Sequence, residues 1–195
     1  MTTTTNTDDP AYIVDGVLTD GEAWVPLITN VLTSDATGVT FQSSTGANDW
    51  SQYMDLKIIA YDQSDTEIYG VMRLNNDTGG TSYNIQQLYG NGSTVTANSY
   101  AANYIHCGYI AKVSDGANVF SVQIIDLFDI NSGKYKSVLS QSANDEDGSG
   151  HVELNAGTWK SQAPITEIDY LAWTGDWKDG SRFDLFGVLP RMVTA

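Results

Sequence analysis

Apolar side chains in this chain recur at every second residue in short runs, and Gly, Asn, Asp and Ser break the runs about every 8–12 residues. No segment carries a sustained helical period, so the chain must bury its apolar side chains by pairing strands. Alternation gives each strand one apolar face. A single sheet of such strands would leave that face in water, so two sheets packed face to face are expected.

The runs can be placed individually. In DLKIIAY, Leu56, Ile58 and Ala60 share a face; beyond DQSD, TEIYGVMRL sets Ile68, Met72 and Leu74 together with Glu67 and Arg73 opposite, which reads as a hairpin. In YIHCGYIAKV, Ile105, Cys107, Tyr109, Ala111 and Val113 share one face and His106 and Lys112 the outer one. VFSVQIIDLF follows across SDGAN as the second arm of another hairpin, and its large residues on both faces point to burial between layers and to a homo-oligomer. EAWVPLITNVL, GVTFQ, GHVELNAGTW, ITEIDYLAW and RFDLFGVL supply further strands. Roughly nine or ten antiparallel strands predict an all-β, two-sheet β-sandwich, with the jelly roll as the preferred form. Residues 1–11, Thr-rich and polar up to Pro10, predict a flexible arm, and residues 12–195 a single β-sandwich domain.

At 195 residues and 41% hydrophobic the chain has the material for one core. Nine basic against 24 acidic residues give a net charge of −15, which repels nucleic-acid phosphates. No Lys or Arg precedes Lys57, so the acidic excess is concentrated in the first third, where it suits a basic partner surface. The start MTTTTNTDDP has neither the positive nor the apolar region of a signal peptide, and no apolar run reaches membrane-helix length, so folding in a cytoplasm and no membrane partner are expected.

The candidate chemistry is sparse. Cys107 is the lone cysteine, His106 and His151 stand apart, and no nucleophile–base pair or zinc spacing can be assembled from them. A carboxylate pair of the glycosidase kind stays open, because separations in space are not written in sequence; the reading is nevertheless of a protein that is not an enzyme and needs no cofactor. In RLNNDTGGTSYN the residues are turn formers, and the bidentate Glu of a calcium loop is missing. DEDGSGH gathers Asp145, Glu146, Asp147 and His151 and reads as a solvated acidic loop ahead of a cation site. Asn76-Asp77-Thr78 and Asn91-Gly92-Ser93 fit the glycan-acceptor pattern only by coincidence in a chain without a secretion signal. Of five tryptophans, Trp173 and Trp177 flank the turn TGD and are the candidates for exposed, sugar-stacking aromatics, behind the plainer reading that they fill the end of the sandwich.

The order of pieces resembles a family of tailed-bacteriophage virion proteins, in which an Arg…Asn-Asp-Thr-Gly…Tyr segment precedes a closing Trp…Ile-Thr-x-Ile…Gly-x-aromatic-x-x-Gly-Ser…Leu-aromatic-Gly segment. The matching positions are Arg73, Asn75, Asn76, Asp77, Thr78, Gly79 and Tyr83, then Trp159, Ile165, Ile168, Gly175, Trp177, Gly180, Ser181, Leu185, Phe186 and Gly187. Trp177 stands where that family more often has Phe, and Phe186 where it often has Tyr. The resemblance spans about Asp55 to Leu189. It implies a β-sandwich particle component, a homotrimer located on the capsid surface after assembly in the host cytoplasm. A short arm suits a capsid cement or decoration protein with the major capsid protein and copies of itself as partners; Thr5, Asp8, Asp9, Pro10 and Tyr12 form the candidate contact arm. The alternative is a tail fibre or appendage module that recognises a host or a carbohydrate. Under either, the 73–83 turn is expected to be architecture, with Arg73 beside Asp77.

Overall fold

The computed structural model describes residues 1–5, 13–14, 17–18, 24–66, 68–146 and 148–189. In chain order the strands are β1 (Thr2–Thr5), β2 (Ile13–Val14), β3 (Val17–Leu18), β4 (Trp24–Val31), β5 (Gly38–Gln42), β6 (Asp55–Asp62), β7 (Ile68–Leu74) and β8 (Tyr83–Gly90). They continue as β9 (Val95–Ala102), β10 (Ile105–Ile110), β11 (Ser121–Phe128), β12 (Lys136–Asp145), β13 (Gly150–Trp159), β14 (Glu167–Ala172) and β15 (Arg182–Val188). Helix is confined to 3₁₀ turns at Gly46–Asn48, Trp50–Gln52 and Val113–Asp115 among the described residues.

The strands form a β-sandwich of two antiparallel sheets. One has nine strands in the order β1-β4-β15-β6-β11-β12-β13-β8-β9, the other four in the order β10-β7-β14-β5, and β2 pairs separately with β3. Alternation explains the core: Leu56, Ile58 and Ala60 of β6, Phe183 and Leu185 of β15, and Ile125 and Leu127 of β11 face Met72, Leu74, Ile168 and Tyr170 of the smaller sheet, all essentially buried. Each of the Leu, Ile, Met and Phe side chains among them is worth about 1.5–3 kcal/mol on burial, so this interlayer contact dominates stability.

Three sequence expectations change. Both hairpins are absent as such: β6 pairs with β11 and β15 while β7 pairs with β10 and β14, and β10 and β11 likewise belong to different sheets. The connections cross between layers instead of reversing in plane. They are tied to each other, Ser64 N–H donating to Ala111 O at 2.9 Å and Val113 N–H to Ser64 O at 2.8 Å. Turn formers signal a reversal equally well in either geometry; the choice depends on which strand fills the neighbouring place. Within the two large layers the consecutive strands that pair in plane are β8–β9, β11–β12 and β12–β13.

The arm is the third. Thr2–Thr5 lies antiparallel on β4, Thr5 opposite Ile28, with all four residues exposed. β-branched threonines suit a strand, and the edge of β4 offers unpaired backbone groups, so these four residues are regular where a flexible arm is expected. Asp8, Asp9, Pro10 and Tyr12 lie outside the described residues.

Beyond β11 the large sheet runs on as a wing, β12-β13-β8-β9, over which β10, the edge of the small sheet, is laid. Pairing of β10 with β7 slips between His106 and Gly108. Gly108 has φ 131°, and a Cβ there would sit 2.0 Å from Ser142 Oγ, so only glycine lets β10 approach β12 this closely.

Candidate functional site

The 73–83 turn holds the first of the two segments on which the resemblance rests. Asn75 and Asn76 adopt left-handed φ values of 50° and 54°, as Asn tolerates. Asn75 Nδ2 donates to Pro164 O at 2.8 Å while its Oδ1 accepts from the N–H of Thr166 at 2.9 Å and of Glu167 at 3.1 Å. Asp77 accepts from Trp159 Nε1 at 2.8 Å, Gly79 N–H at 2.9 Å and Ser82 Oγ at 2.9 Å. The Trp159 hydrogen bond, with those of Gly79 and Ser82, holds its carboxyl below the usual range against the opposing push of partial burial. Tyr83 Oη accepts from Leu74 N–H at 2.9 Å. Arg73 does not pair with Asp77: its Nε donates to Asn103 O at 3.3 Å, while Asp77 takes the Trp159 indole N–H. Thr78 is exposed beside this clasp.

A second constellation escaped sequence reading. His106, expected on an outer face, is 2% exposed, since the bulge at 106–108 turns it into the gap between β10 and the wing. Its Nε2 meets Glu153 Oε2 at 3.1 Å, and Asn155 Nδ2 at 3.2 Å, Tyr109 N–H at 3.3 Å and Gln87 Nε2 at 3.4 Å add to the donors around that carboxylate. Burial pushes the Glu153 carboxyl up, but the hydrogen bonds and charge of His106, with Asn155 and Gln87, outweigh it and keep it below its usual range. The pair is closed by partners and fastens β10 to β13. The signal available beforehand was HVELNAG, in which Glu153 and Asn155 share one strand face.

Aromatic rings cover this pair. Trp173 lies 6.0 Å from Tyr69 with nearly parallel planes and 4.5 Å from Tyr104; Tyr69 reaches His106 at 4.6 Å and Tyr109 at 6.1 Å, and Tyr109 stacks on His151 at 4.2 Å. The strip crosses from β14 over β7 and β10 to β13. Trp173 is 38% exposed at one end of it. Trp177, the other candidate exposed ring, is wholly buried: it stacks on Tyr170 at 5.2 Å and meets Phe183 edge-on at 5.3 Å. Its backbone bridges to Ala36 and Ser64 draw it inward.

Two more groups bear on chemistry. The Cys107 thiol is buried, and burial, followed by the Asp62 and Glu153 carboxyls, pushes its pKa up, away from a thiolate nucleophile. Asp62 is buried in the core with its pKa pushed up to about 7 by burial, opposed by the 2.7 Å hydrogen bond from Ser121 Oγ. In the acidic loop, Asp145 Oδ1 accepts from Gly148 N–H and Glu146 Oε1 from Asn144 Nδ2; Asp147 lies outside the described residues. Among the described residues no group of three or more His, Cys, Asp or Glu is placed to hold a metal ion, and no helix is long and apolar enough to cross a membrane.

In comparisons with protein-family models, with characterised proteins and with solved structures, nothing matches this chain.

Proposed function

We propose that this chain is a structural protein of a tailed-bacteriophage particle, acting as a capsid cement or decoration protein on the head shell. The observation that carries the reading is the clasp between the two segments through which the chain resembles such virion proteins. Asn75 holds Pro164, Thr166 and Glu167, and Asp77 holds Trp159, while Ile165, Ile168, Trp177 and Leu185 fill the core behind them. These residues hold strands together and do not converge on a reacting group, as suits a protein whose work is mechanical. Core strands that switch sheets in the order β4, β5, β6, β7, with β10 remaining in the sheet of β7, and then β11, β14, β15 support the jelly-roll form.

On this reading the partners are the major capsid protein and copies of the chain itself, a homotrimer by the resemblance, assembled in the host cytoplasm and displayed on the capsid surface. Many weak contacts, summed over the shell, would raise its resistance to disruption. Titrating purified protein onto undecorated heads tests it: saturable co-sedimentation and a higher disruption temperature are expected, and heads that bind none would refute it.

The aromatic strip ending at Trp173 favours a second reading, a tail appendage that stacks sugar rings of a host surface. Quenching or shifting of tryptophan emission by host glycans, lost in Trp173→Ala, is its signature.

A further inference from the structure

Polarity is inverted over one stretch of the large sheet beyond β6, although Ile125 and Leu127 of β11 and Tyr83 and Ile85 of β8 still face the core. In β13, Glu153 and Asn155 are 3% and 1% exposed, whereas Val152 and Leu154 are 69% and 44% exposed. In β11, Gln123 is wholly buried while Val122 and Ile124 face outward. A sheet with one face in water directs apolar residues inward; this one directs many of them out.

Register gathers the outward residues into two rows. Tyr61, Val122, Ala143 and Val152 stand side by side across β6, β11, β12 and β13, and Gly90 carries the row to Val95 on β9. The next row on the same face is Ile59, Ile124, Leu154 and Leu88, interrupted by Gln141. From β6 to β9 no charged side chain stands in either row; on β15 the rows end at Arg182, beside Tyr61, and Asp184, beside Ile59. The Lys57–Asp126 ion pair bounds them on one side and Asp145 on the other, giving an apolar centre with a charged rim.

The exposed fractions of these side chains amount to roughly 600 Å² of apolar surface, at the upper end for a monomer and most of the ~800 Å² per partner of a stable interface. A groove of about 460 Å³ between Leu88, Val95, Val152 and Leu154 indents the β9 end, and Tyr61, 52% exposed, stands at the β6 end.

We propose that this face is covered by the same face of a second copy, two nine-stranded sheets packing about a two-fold axis that runs along the strands between β12 and β13. That axis sets Tyr61 of each copy at the groove of the other and Val122 over Gly90, large side chains meeting an indented and a small place, and puts Ile124 in apolar contact with Leu88. Area points to a second copy as the occupant, since the uncharged apolar surface is most of what each partner of a stable pair buries. Copies bearing a net charge of −15 repel each other over most approaches, and these uncharged rows are where like-charged molecules can touch. The inference is independent of the particle reading, and its two-fold pairing departs from the three-fold order implied by the resemblance.

Sedimentation equilibrium or light scattering of the full chain at 1–100 µM, concentrations chosen to bracket about a micromolar dissociation constant, tests the pairing. A mass of twice the 21.2 kDa chain is expected. Ile124→Lys and Val152→Lys should each weaken association at least about 100-fold while leaving the circular dichroism spectrum unchanged, and the melt unchanged at concentrations low enough that the parent chain is also monomeric; Val113→Lys, exposed outside the rows, should not weaken association. Leu154→Ser, which adds no charge, should weaken association in the same direction should a lysine variant misfold. A monomer throughout, a trimer, or a dimer indifferent to the row variants overturns the proposal. So does a monomer whose row variants lose only head binding, which would assign the face to the shell. A dimer that fails to bind heads overturns the particle reading alone.

Discussion

Trp159 donates its indole N–H to Asp77 Oδ2 at 2.8 Å, joining residues 82 positions apart in the chain. This bond closes the turn after β7 onto the end of β13. Because Asp77 has its folded pKa lowered, its contribution is present above the unfolded carboxylate range and is lost as pH falls through the folded value. Trp159→Phe should cost about 1.5–3 kcal/mol, Asp77→Ala somewhat more because Gly79 and Ser82 also lose their acceptor, and the double mutant less than their sum. Urea melts at pH 7 and pH 3 check both: Asp77→Ala should flatten the acid limb.

Asp62 behaves in the opposite sense. Its folded pKa of about 7 lies above the unfolded value, so it contributes stability below about pH 4 that declines as pH rises toward 7. Asp62 Oδ2 has no hydrogen-bond partner among the described residues. Asp62→Asn should therefore raise stability at pH 8, by up to about 4 kcal/mol as a ceiling, and remove the decline between pH 4 and 7. Unchanged melts across that range would show that the carboxyl is accommodated as an anion.

Much of the fold was legible because alternation is a local property. Leu56, Ile58 and Ala60 face the core as read, and so do Met72 and Leu74. Pairing was not legible, since the turns after Asp62 and Ile110 look alike whether the chain reverses in plane or crosses between sheets. His106 was misplaced for a different reason: the bulge at Gly108 breaks the period on which its outward position was inferred. Trp177 was misplaced because a Gly-Asp turn reads as surface, although the bridges to Ala36 and Ser64 pull the ring inward. Glu153 was invisible because its strand is read correctly only if its polar face is the buried one.

The junction of β10 with the wing should be intolerant of change. Gly108→Ala forces a methyl onto Ser142 at a φ that disfavours any side chain, and Glu153→Ala leaves His106, Asn155 and Gln87 without their shared acceptor. Each should cost about 3–5 kcal/mol in denaturant titrations, with Glu153→Gln milder. Near-native stability of Glu153→Ala would show that β10 is held by the aromatic strip alone.

The two tryptophans near the TGD turn should separate. Trp177→Ala empties the core beside Tyr170 and Phe183 and should cost about 3–5 kcal/mol. Trp173→Ala, at 38% exposure, should cost about 1 kcal/mol. Equal melting temperatures for the two variants would contradict the burial difference.

Deleting residues 2–10 removes only exposed strand residues among those described, so the melting temperature should move by no more than a few degrees. Attachment to undecorated heads should weaken, with the difference from the full chain shrinking at high salt if Asp8 and Asp9 contribute through ion pairs. Truncated protein that binds as tightly as the full chain would move attachment to the sandwich surface.

The most direct measurement is an electron-microscopic image of intact particles in which this chain carries a gold or fluorescent-protein label. The account predicts label in many copies distributed over the head shell. Particles whose heads carry no label would contradict it.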